Sequence, residues 1–328
     1  MRAFRVETMG SAPALTEVPV PVPGQGEVLI RVAACGLNFA DLLMVEGRYQ
    51  DTPTAPFTLG MEIAGTVAAA GEGVTCAPGQ RVVAFAGQGG LAEWAVVAAD
   101  RVIALPEGVD FPTAAAFPIA YGTAHLALAH RARLAPGETL FVTGAAGGVG
   151  LTAVEIGKRL GARVIASARG GDKLAVARAA GADVVIDSSA PDLRGVLKSL
   201  GGVDVVYDTV GGGAFMEALR ATRPEGRLLA IGFAGGEVPQ VPANLLLVKN
   251  LSVIGLYWGG YLNFAPKVLT DSLRQLLDWI AMGELRPHLG LTLPFARAAE
   301  GLEALRDRRS TGKVVITMEG AAGEGAAD

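Results

Sequence analysis

The sequence predicts an α/β protein in which a β-rich domain accompanies a doubly wound parallel sheet. Two observations predict this fold class. From residue 140 to residue 255, short apolar strand segments alternate with helical segments, which is the pattern of parallel βαβ units with right-handed crossovers. Before residue 122, Gly and Pro separate short strand segments, which is typical of an antiparallel, barrel-like domain.

The individual elements follow from their residue patterns. Short apolar runs rich in β-branched residues predict strands, and longer runs with spaced apolar residues predict helices. In chain order, we predict strands at 28–33, 63–67, 81–85, 92–97 and 102–105, a helix at 119–129, then strands at 140–142, 163–168, 183–186, 203–207, 227–231 and 251–255 alternating with helices at 151–160, 172–180, 192–200 and 215–221, and finally helices at 267–282 and 295–308 before a strand at 313–318.

A glycine-rich turn over residues 143–150 follows the first strand of the alternating region. It approximates the dinucleotide pattern G-x-G-x-x-G, with Ala145 in place of the first glycine and with Gly147 and Gly150 as the second and third. A glycine turn alone also occurs without a ligand, but six strands in this order favour a dinucleotide site. The backbone groups expected at the pyrophosphate belong to Gly147, Gly148 and Val149.

A chain of 328 residues is long for a single core. We predict a β-rich catalytic domain over residues 1–122 that residues 266–318 complete, and a dinucleotide-binding domain over residues 123–265. Residues 319–328 are rich in Gly, Ala and Glu and are expected to be disordered.

Composition excludes several function classes. The chain is 51% hydrophobic and 18% charged, which indicates a globular protein, and its net charge of −4 disfavours nucleic acid and anionic membranes as partners. Residues 111–130 carry no Asp, Glu, Lys or Arg, but their Pro, Gly and Ala content does not favour a membrane span. Two cysteines and no secretory signal predict a cytoplasmic protein.

Several motifs together resemble one family. They are ACGLNFAD at 34–41, GMEIAG at 60–65 and AAGGVG at 145–150, with LNFADLL at 37–43 followed by EGRY at 46–49. These segments resemble the zinc-independent quinone oxidoreductases, the zeta-crystallin-like branch of the medium-chain dehydrogenase/reductase superfamily. The resemblance implies a GroES-like catalytic domain, a Rossmann domain for the cofactor, and a homodimer.

The motifs also bear on metal binding. Zinc enzymes of this superfamily hold the catalytic zinc with a cysteine and a histidine, and this sequence has Asn38 and Met61 at those positions. An amide and a thioether are poor zinc ligands. The closely spaced cysteines of the structural zinc loop are also missing, so we predict no metal.

The resemblance assigns three residues to the catalytic end of the site. Asn38 is expected near the nicotinamide, where its amide holds a ribose hydroxyl or a developing oxyanion; alternatively it only forms a turn. Tyr49 is expected at the substrate, or it is a packing aromatic. Thr123 is expected near the nicotinamide, or its hydroxyl bonds back to its own helix.

The residues after the second strand of the alternating region predict NADPH rather than NADH. Enzymes specific for NAD place an acid at this strand end, whereas here Ala168 is followed by Arg169. Alternatively, Arg169 and Lys173 are a solvated helix start. The residues expected to contact the 2′-phosphate are Ser167, Arg169, Lys173 and Ser188. Two later glycine-containing loops, which can also be ordinary turns, are expected to contact the cofactor through Gly232, Phe233 and Tyr257.

The leading hypothesis is an NADPH-dependent quinone oxidoreductase that transfers hydride to a quinone or similar electron-poor acceptor without zinc. Such an acceptor needs less polarisation than a simple carbonyl. A zinc-free enone or 2-alkenal double-bond reductase is the alternative enzyme. An NADPH-binding protein with little turnover is the alternative from another class.

Overall fold

In the computed structural model, which describes residues 1–318, the chain divides into two compact units. The first unit comprises Met1–Ile119 together with the described residues from Leu273 onward, and the second comprises Ala120–Ser272. The domain limits predicted from the sequence lie after residues 122 and 265 and remain a prediction. The predicted disordered tail, 319–328, lies outside the described residues.

The N-terminal part of the first unit is mainly antiparallel sheet. In its longest strand, Val28, Ile30 and Val32 are buried and Arg31 is exposed, which is the alternation of a strand with one face on the core. The elements are β1 (Arg2–Val6), β2 (Ala14–Glu17), β3 (Glu27–Leu37), α1 (Phe39–Val45), β4 (Phe57–Thr58), β5 (Glu62–Ala70), β6 (Arg81–Phe85), β7 (Trp94–Ala98), β8 (Val102–Ala104) and α2 (Phe111–Ala115).

The chain enters the second unit through α3 (Pro118–His125), which continues as a π-helix over Leu126–Arg131. The sequence predicted one helix over 119–129. The change of helix type adds a residue to each turn, and the spacing of so many alanines did not reveal it. The remaining elements are β9 (Thr139–Val142), α4 (Gly148–Arg159), β10 (Arg163–Ala168), α5 (Gly171–Ala179), β11 (Val184–Asp187), α6 (Leu193–Ser199), β12 (Val203–Asp208), α7 (Gly212–Ala221), β13 (Thr222–Ala230), α8 (Ala243–Lys249), β14 (Ser252–Gly255) and α9 (Tyr261–Phe264).

The sheet of the second unit has six parallel strands in the order β11-β10-β9-β12-β13-β14. This confirms the predicted doubly wound fold. The order reverses between β9 and β12, so the connections after these two strands leave in opposite directions and open a crevice at their carboxyl ends. Phe141 of β9 and Phe215 of α7 are fully buried in the core under this sheet.

The C-terminal part of the chain returns to the first unit. After α10 (Pro266–Ala281) come β15 (Leu289–Pro294), α11 (Ala298–Arg306) and β16 (Lys313–Thr317). β16 pairs with β15 in parallel and with β3 in antiparallel fashion, which places Val314 opposite Leu37. Within residues 1–318, no helix combines the length and the apolar character that crossing a membrane requires.

In the second unit, an ion pair joins β13 to the residue that precedes β9. Arg227 of β13 donates to both carboxylate oxygens of Glu138, at 2.7 and 2.8 Å, and these hydrogen bonds hold the pKa of Glu138 below its usual value. Because the pKa of Glu138 is lower in the folded protein, the pair stabilises the fold fully at pH values above the pKa that Glu138 has in the unfolded chain. That stabilisation is lost as the pH falls through the folded pKa.

We therefore expect Glu138→Gln to lower the free energy of unfolding by about 1 kcal/mol near pH 7 and by much less near pH 3. Urea titrations at both pH values measure the difference. A loss that is equal at both would mean that the charge of Glu138 contributes nothing.

Candidate functional site

The glycine-rich turn lies at the carboxyl end of β9, where the strand order reverses. Gly144 has a φ of +59°, and its carbonyl oxygen accepts a hydrogen bond of 3.0 Å from the backbone N–H of Gly147. Gly144 therefore makes the tight turn. The sequence pattern had placed this role one residue later, at Ala145, so Gly144 is a site residue that the motif comparison missed.

The N-terminus of α4 opens from this turn. Gly147 is its N-cap residue, no side chain caps the helix, and its first turn contains no acid. The first-turn N–H groups, which include those of Gly148 and Val149, have no acceptor in the helix itself. These donors and the positive end of the helix dipole fit a pyrophosphate.

Two glycines of the turn have different physical roles. A Cβ added to Gly150 would lie 2.2 Å from the carbonyl oxygen of Gly144, so Gly150 is required for packing of the helix on the turn. A Cβ added to Gly147 would meet only that same oxygen, at an ordinary 3.4 Å, and Gly147 is exposed. The fold itself does not need a glycine at 147. A ligand bound close to the helix N-terminus would need one, because a side chain at 147 would occupy the same space.

A buried network connects the turn to the neighbouring strand. Asp208, at the end of β12, accepts a hydrogen bond of 2.6 Å from the Thr143 hydroxyl and one of 2.7 Å from the Gly211 backbone N–H. Burial raises the pKa of Asp208, and these hydrogen bonds oppose that shift. Thr209 donates its hydroxyl proton to the Thr143 carbonyl at 2.9 Å. The network fixes the carboxyl ends of β9 and β12 relative to each other.

The end of β10 contains no carboxylate. Ala168 is followed by exposed Arg169 and by Gly170, whose φ is +84°. The nearby acid, Asp187 at the end of β11, accepts hydrogen bonds from the Gly170 N–H at 3.1 Å and from the Ser189 N–H and hydroxyl. Asp187 therefore shapes the loop after β10 through hydrogen bonds within the protein.

The other predicted phosphate contacts differ in exposure. Ser188 is exposed and its N–H donates to the Ala168 carbonyl at 2.9 Å, while Lys173, in the first turn of α5, is half-buried. Ser167 is buried within β10, which is unfavourable for a contact with a charged phosphate. Arg169, Lys173 and Ser188 thus lie on the elements that begin or end at this edge of the sheet.

The two loops predicted to contact the cofactor follow β13 and β14 at the same carboxyl edge. The N–H of Gly232 donates a hydrogen bond of 3.3 Å to the Asp208 carbonyl. Phe233 lies beside Gly211 and is 41% exposed. Tyr257 is half-buried. An exposed aromatic at this edge provides an apolar surface that a flat ring can cover.

In the first unit, Asn38 lies in a buried charged cluster formed with Glu62 and Lys313. The Lys313 ammonium donates to the Asn38 Oδ1, the Glu62 Oε1 and the Leu37 carbonyl, each at 2.7 Å. The Asn38 Nδ2 donates to Glu62 Oε1 at 2.9 Å and to the Gly36 carbonyl at 3.4 Å. Both N–H groups of the amide are therefore used within the protein, and one lone pair of Oδ1 is left to accept a further hydrogen bond.

Asp41 extends this cluster at the start of α1. Its two carboxylate oxygens accept hydrogen bonds from the backbone N–H groups of Asn38 and Gly60, at 2.8 and 3.1 Å. Complete burial raises the pKa of Asp41 to about 6, although these hydrogen bonds and the Lys313 charge lower it. Asp41 thus fixes the backbone of Asn38, while Lys313 fixes its side chain.

The remaining predicted residues are placed as follows. Met61, which directly precedes Glu62 in the sequence, is buried, and Thr123 is buried within α3. Tyr49 is half-buried after α1, and burial together with the charges of Asp51 and Asp41 raises its pKa to about 12. Among residues 1–318, no three His, Cys, Asp or Glu side chains are grouped to hold a metal.

Two family models match the chain. The "Alcohol dehydrogenase GroES-like domain" matches residues 24–107 and the "Zinc-binding dehydrogenase" model matches residues 148–281. Quinone oxidoreductase-like protein 2 of Bos taurus is 41% identical over 313 residues, 94% of this chain and 90% of the relative. The human synaptic vesicle membrane protein VAT-1 homolog is 30% identical over 90% of this chain and 80% of its own.

Solved structures agree with these matches. The quinone oxidoreductase of Thermus thermophilus, solved also in complex with NADPH, has a TM-score of 0.86 at 37% identity, covering 97% of this chain and 100% of its own. The Escherichia coli quinone oxidoreductase in complex with NADPH has a TM-score of 0.88 at 29% identity, covering 96% and 99%.

The chain belongs to the zeta-crystallin-like branch of the medium-chain dehydrogenase/reductase superfamily. The predicted family is confirmed, as is the predicted combination of a GroES-like domain with a Rossmann domain. The assignment makes this chain an oxidoreductase of the medium-chain type.

The sequence did not single out the polar partners of Asn38 in the first unit or the buried network around Asp208 in the second. Glu62 was only part of a motif, and Lys313 was the first residue of a predicted strand. A lysine at the start of an otherwise apolar strand was a usable signal of a buried polar cluster, because a buried ammonium requires hydrogen-bond acceptors or a carboxylate nearby. Thr143 and Asp208 each follow an apolar run at a strand end, which in a parallel sheet places them on the ligand-binding edge.

We expect Gly147→Val to abolish NADPH binding while leaving the stability of the protein nearly unchanged, because the added branches fill the space in front of the helix N-terminus. Gly150→Ala is the matched variant. It should lower the free energy of unfolding by about 1–3 kcal/mol through overpacking. Fluorescence titration with NADPH and thermal unfolding separate the two effects, and unchanged NADPH affinity in Gly147→Val would contradict the site.

We expect Lys313→Met to lower the free energy of unfolding by about 3–5 kcal/mol, because it leaves the Glu62 carboxylate buried and unpaired. Adding Glu62→Gln removes that charge, so the double variant should regain part of the loss. Chemical unfolding of the two variants measures this coupling, and a double variant less stable than Lys313→Met would show that the pairing is not the cause.

Proposed function

We propose that this protein is an NADPH-dependent quinone oxidoreductase that transfers hydride to a quinone or similar electron-poor acceptor without zinc. The carboxyl edge of the parallel sheet carries the proposal, because Gly147 leaves the N-terminus of α4 open there and Arg169 directly follows the neighbouring strand. The similar quinone oxidoreductases solved with NADPH support the same assignment.

The choice of NADPH is supported by charge. A carboxylate at the end of β10 would accept a hydrogen bond from the ribose 2′-hydroxyl of NADH and would repel a 2′-phosphate. The end of β10 has Ala168 and Arg169 instead. Hydrogen bonds from Ser189 and Gly170 lower the pKa of Asp187 at the end of β11, so this carboxylate stays charged and does not assist phosphate binding. Arg169 and Lys173 can pair with the 2′-phosphate through charge-assisted hydrogen bonds.

The absence of zinc chemistry is supported by the donor set. Asn38 Oδ1 already accepts a hydrogen bond from the Lys313 ammonium at 2.7 Å, so a dication bound by this oxygen would be repelled by a neighbouring positive charge. Met61 supplies only a thioether. The matched model whose description names zinc covers residues 148–281, which include neither Asn38 nor Met61.

Bound NADPH supplies the hydride for this reaction. The protein has to bind and orient the cofactor and to admit a proton, since reduction of a quinone to a hydroquinone takes up one hydride and one proton. Asn38 has one lone pair of Oδ1 free to accept a ribose hydroxyl, which favours this role over donation to an oxyanion. Tyr49, with its pKa of about 12, is a poor proton donor, and we propose water as the source.

We also propose a cytoplasmic homodimer. β14 is the edge strand of the parallel sheet in the part of the chain that the structure describes, and Leu247 and Val248 of the preceding helix are 77% and 69% exposed. An unprotected edge with exposed apolar side chains beside it favours pairing with a second copy. Two free thiols, Cys35 and Cys76, are in keeping with a reducing compartment.

NADPH oxidation measured against quinones, enones, 2-alkenals and a blank without acceptor tests the function. We expect turnover with quinones to exceed turnover with enones and 2-alkenals. Faster reduction of enones would favour the double-bond reductase instead. NADPH binding without turnover on any acceptor would mean that the protein is only an NADPH-binding protein.

The double variant Arg169→Ala/Lys173→Ala should weaken NADPH binding by about two orders of magnitude or more, because two charge-assisted contacts with the 2′-phosphate are lost. NADH lacks this phosphate, so its affinity should hardly change. The parent's preference for NADPH should also shrink at high salt. If the dissociation constants of both cofactors rise together, the two residues do not recognise the phosphate.

Metal analysis of the purified enzyme should find far less than one zinc per chain, and a chelator should leave quinone reduction unchanged. The reason is the donor set at Asn38 and Met61. One equivalent of zinc together with loss of activity on chelation would refute the zinc-free mechanism.

A further inference from the structure

The second unit contains a concavity of about 560 Å³ that is remote from the glycine turn within this unit. It is formed by residues of α6, α7 and α8 and by the chain where β12 and β13 begin, with Gly202 and Thr222 in its wall. Because the strands are parallel, their amino ends lie on the sheet edge opposite the carboxyl ends that carry the glycine turn. The concavity is therefore separate from the proposed cofactor site.

Its lining is strongly basic although the chain as a whole carries a net charge of −4. Five cations line it, and one of them, Arg223, is neutralised by Asp204 at 2.7 Å. The other four form no ion pair with any residue between 1 and 318, and they are Arg194, Lys198, Arg220 and Lys249. The carboxylate of Glu217 accepts a hydrogen bond from the Arg194 backbone N–H but does not line the concavity.

Helix ends do not account for this set of charges. Lys198, Arg220 and Lys249 lie in the last turns of their helices, where the dipole favours a cation. Arg194, however, lies in the first turn of α6, where the dipole disfavours one. The Lys249 ammonium donates to the Arg220 carbonyl at 3.2 Å, and burial together with the charges of Lys198 and Arg194 lowers its pKa. Lys249 thus lies close enough to Lys198 and Arg194 to be repelled by their charges.

We propose that this basic concavity binds a small soluble molecule that carries several phosphate charges. Four cations that line one concavity without an ion-pair partner are stabilised by a polyanion far more than by single chloride ions. A volume of about 560 Å³ accommodates a molecule of nucleotide size, and Leu245 provides an apolar wall for its organic part. The same phosphate chemistry is found on lipid headgroups, which the experiment distinguishes.

Calorimetric titration of the full chain with inorganic triphosphate and with inorganic phosphate tests the proposal. We expect triphosphate to bind more tightly than phosphate, and its affinity to fall about tenfold or more in Arg194→Gln/Lys249→Gln and as salt is raised. Arg131→Gln/Arg178→Gln removes two exposed cations outside the concavity and should bind triphosphate like the parent. Arg169→Gln/Lys173→Gln shows whether triphosphate binds at the cofactor edge instead.

The outcomes are separable. Loss of triphosphate binding in Arg194→Gln/Lys249→Gln alone, with NADPH affinity unchanged, supports the proposal. No binding by the parent, equal losses in the control variant, or a loss confined to Arg169→Gln/Lys173→Gln overturns it. So does binding to phosphoinositide-containing vesicles when soluble triphosphate does not bind. A protein that fails to bind NADPH still gives a decisive triphosphate result, so this proposal and the proposed function fail independently.

Discussion

The first unit depends on one buried ion pair between Lys313 and Glu62. The side chains of these residues are 4% and 0% exposed, so both charges have been removed from water at a high free-energy cost. That cost is offset because every donor of the ammonium has an acceptor and the second oxygen of Glu62 accepts the Ile119 N–H at 2.8 Å. One carboxylate thereby connects β5, the C-terminal strand β16 and the start of α3. The side chain of Asn38 takes its orientation from the same pair.

The second unit uses a buried acid in a comparable way. Asp208 forms no ion pair with any residue from 1 to 318 and is instead held by the Thr143 hydroxyl and by backbone N–H groups. Its charge is therefore stabilised by dipoles at the point where the connections after β9 and β12 diverge. A rigid edge at this point matters because a cofactor is bound largely by backbone groups, whose positions depend on how the strand ends are held.

The sequence was sufficient to predict the parallel sheet, since the centres of β10 and β12 are apolar (164–166 and 205–207) and each strand is followed by a helical segment. It was not sufficient for β15, whose residues alternate in exposure as an edge strand and include Gly290 and Pro294. Nor did local patterns show that β16 pairs with β3, because that register joins residues far apart in the chain. Lys313 was missed for this reason: its partners come from the other end of the sequence, and only the fold brings them to it.

The glycine turn separates a glycine that the fold requires from one that it does not. In the sequence pattern, Gly147 allows close approach to a pyrophosphate and Gly150 allows close packing of the helix. In the structure, a Cβ fits within the protein at Gly147 and collides with the Gly144 carbonyl at Gly150. Gly150 is thus explained by folding alone, as a glycine in any closely packed turn would be. Gly147 has no such explanation, because its surroundings are open and its backbone conformation suits any residue. The residue that the fold does not require is the one that most directly indicates a ligand, and here it lies at the start of a helix whose first N–H groups have no acceptor within the helix.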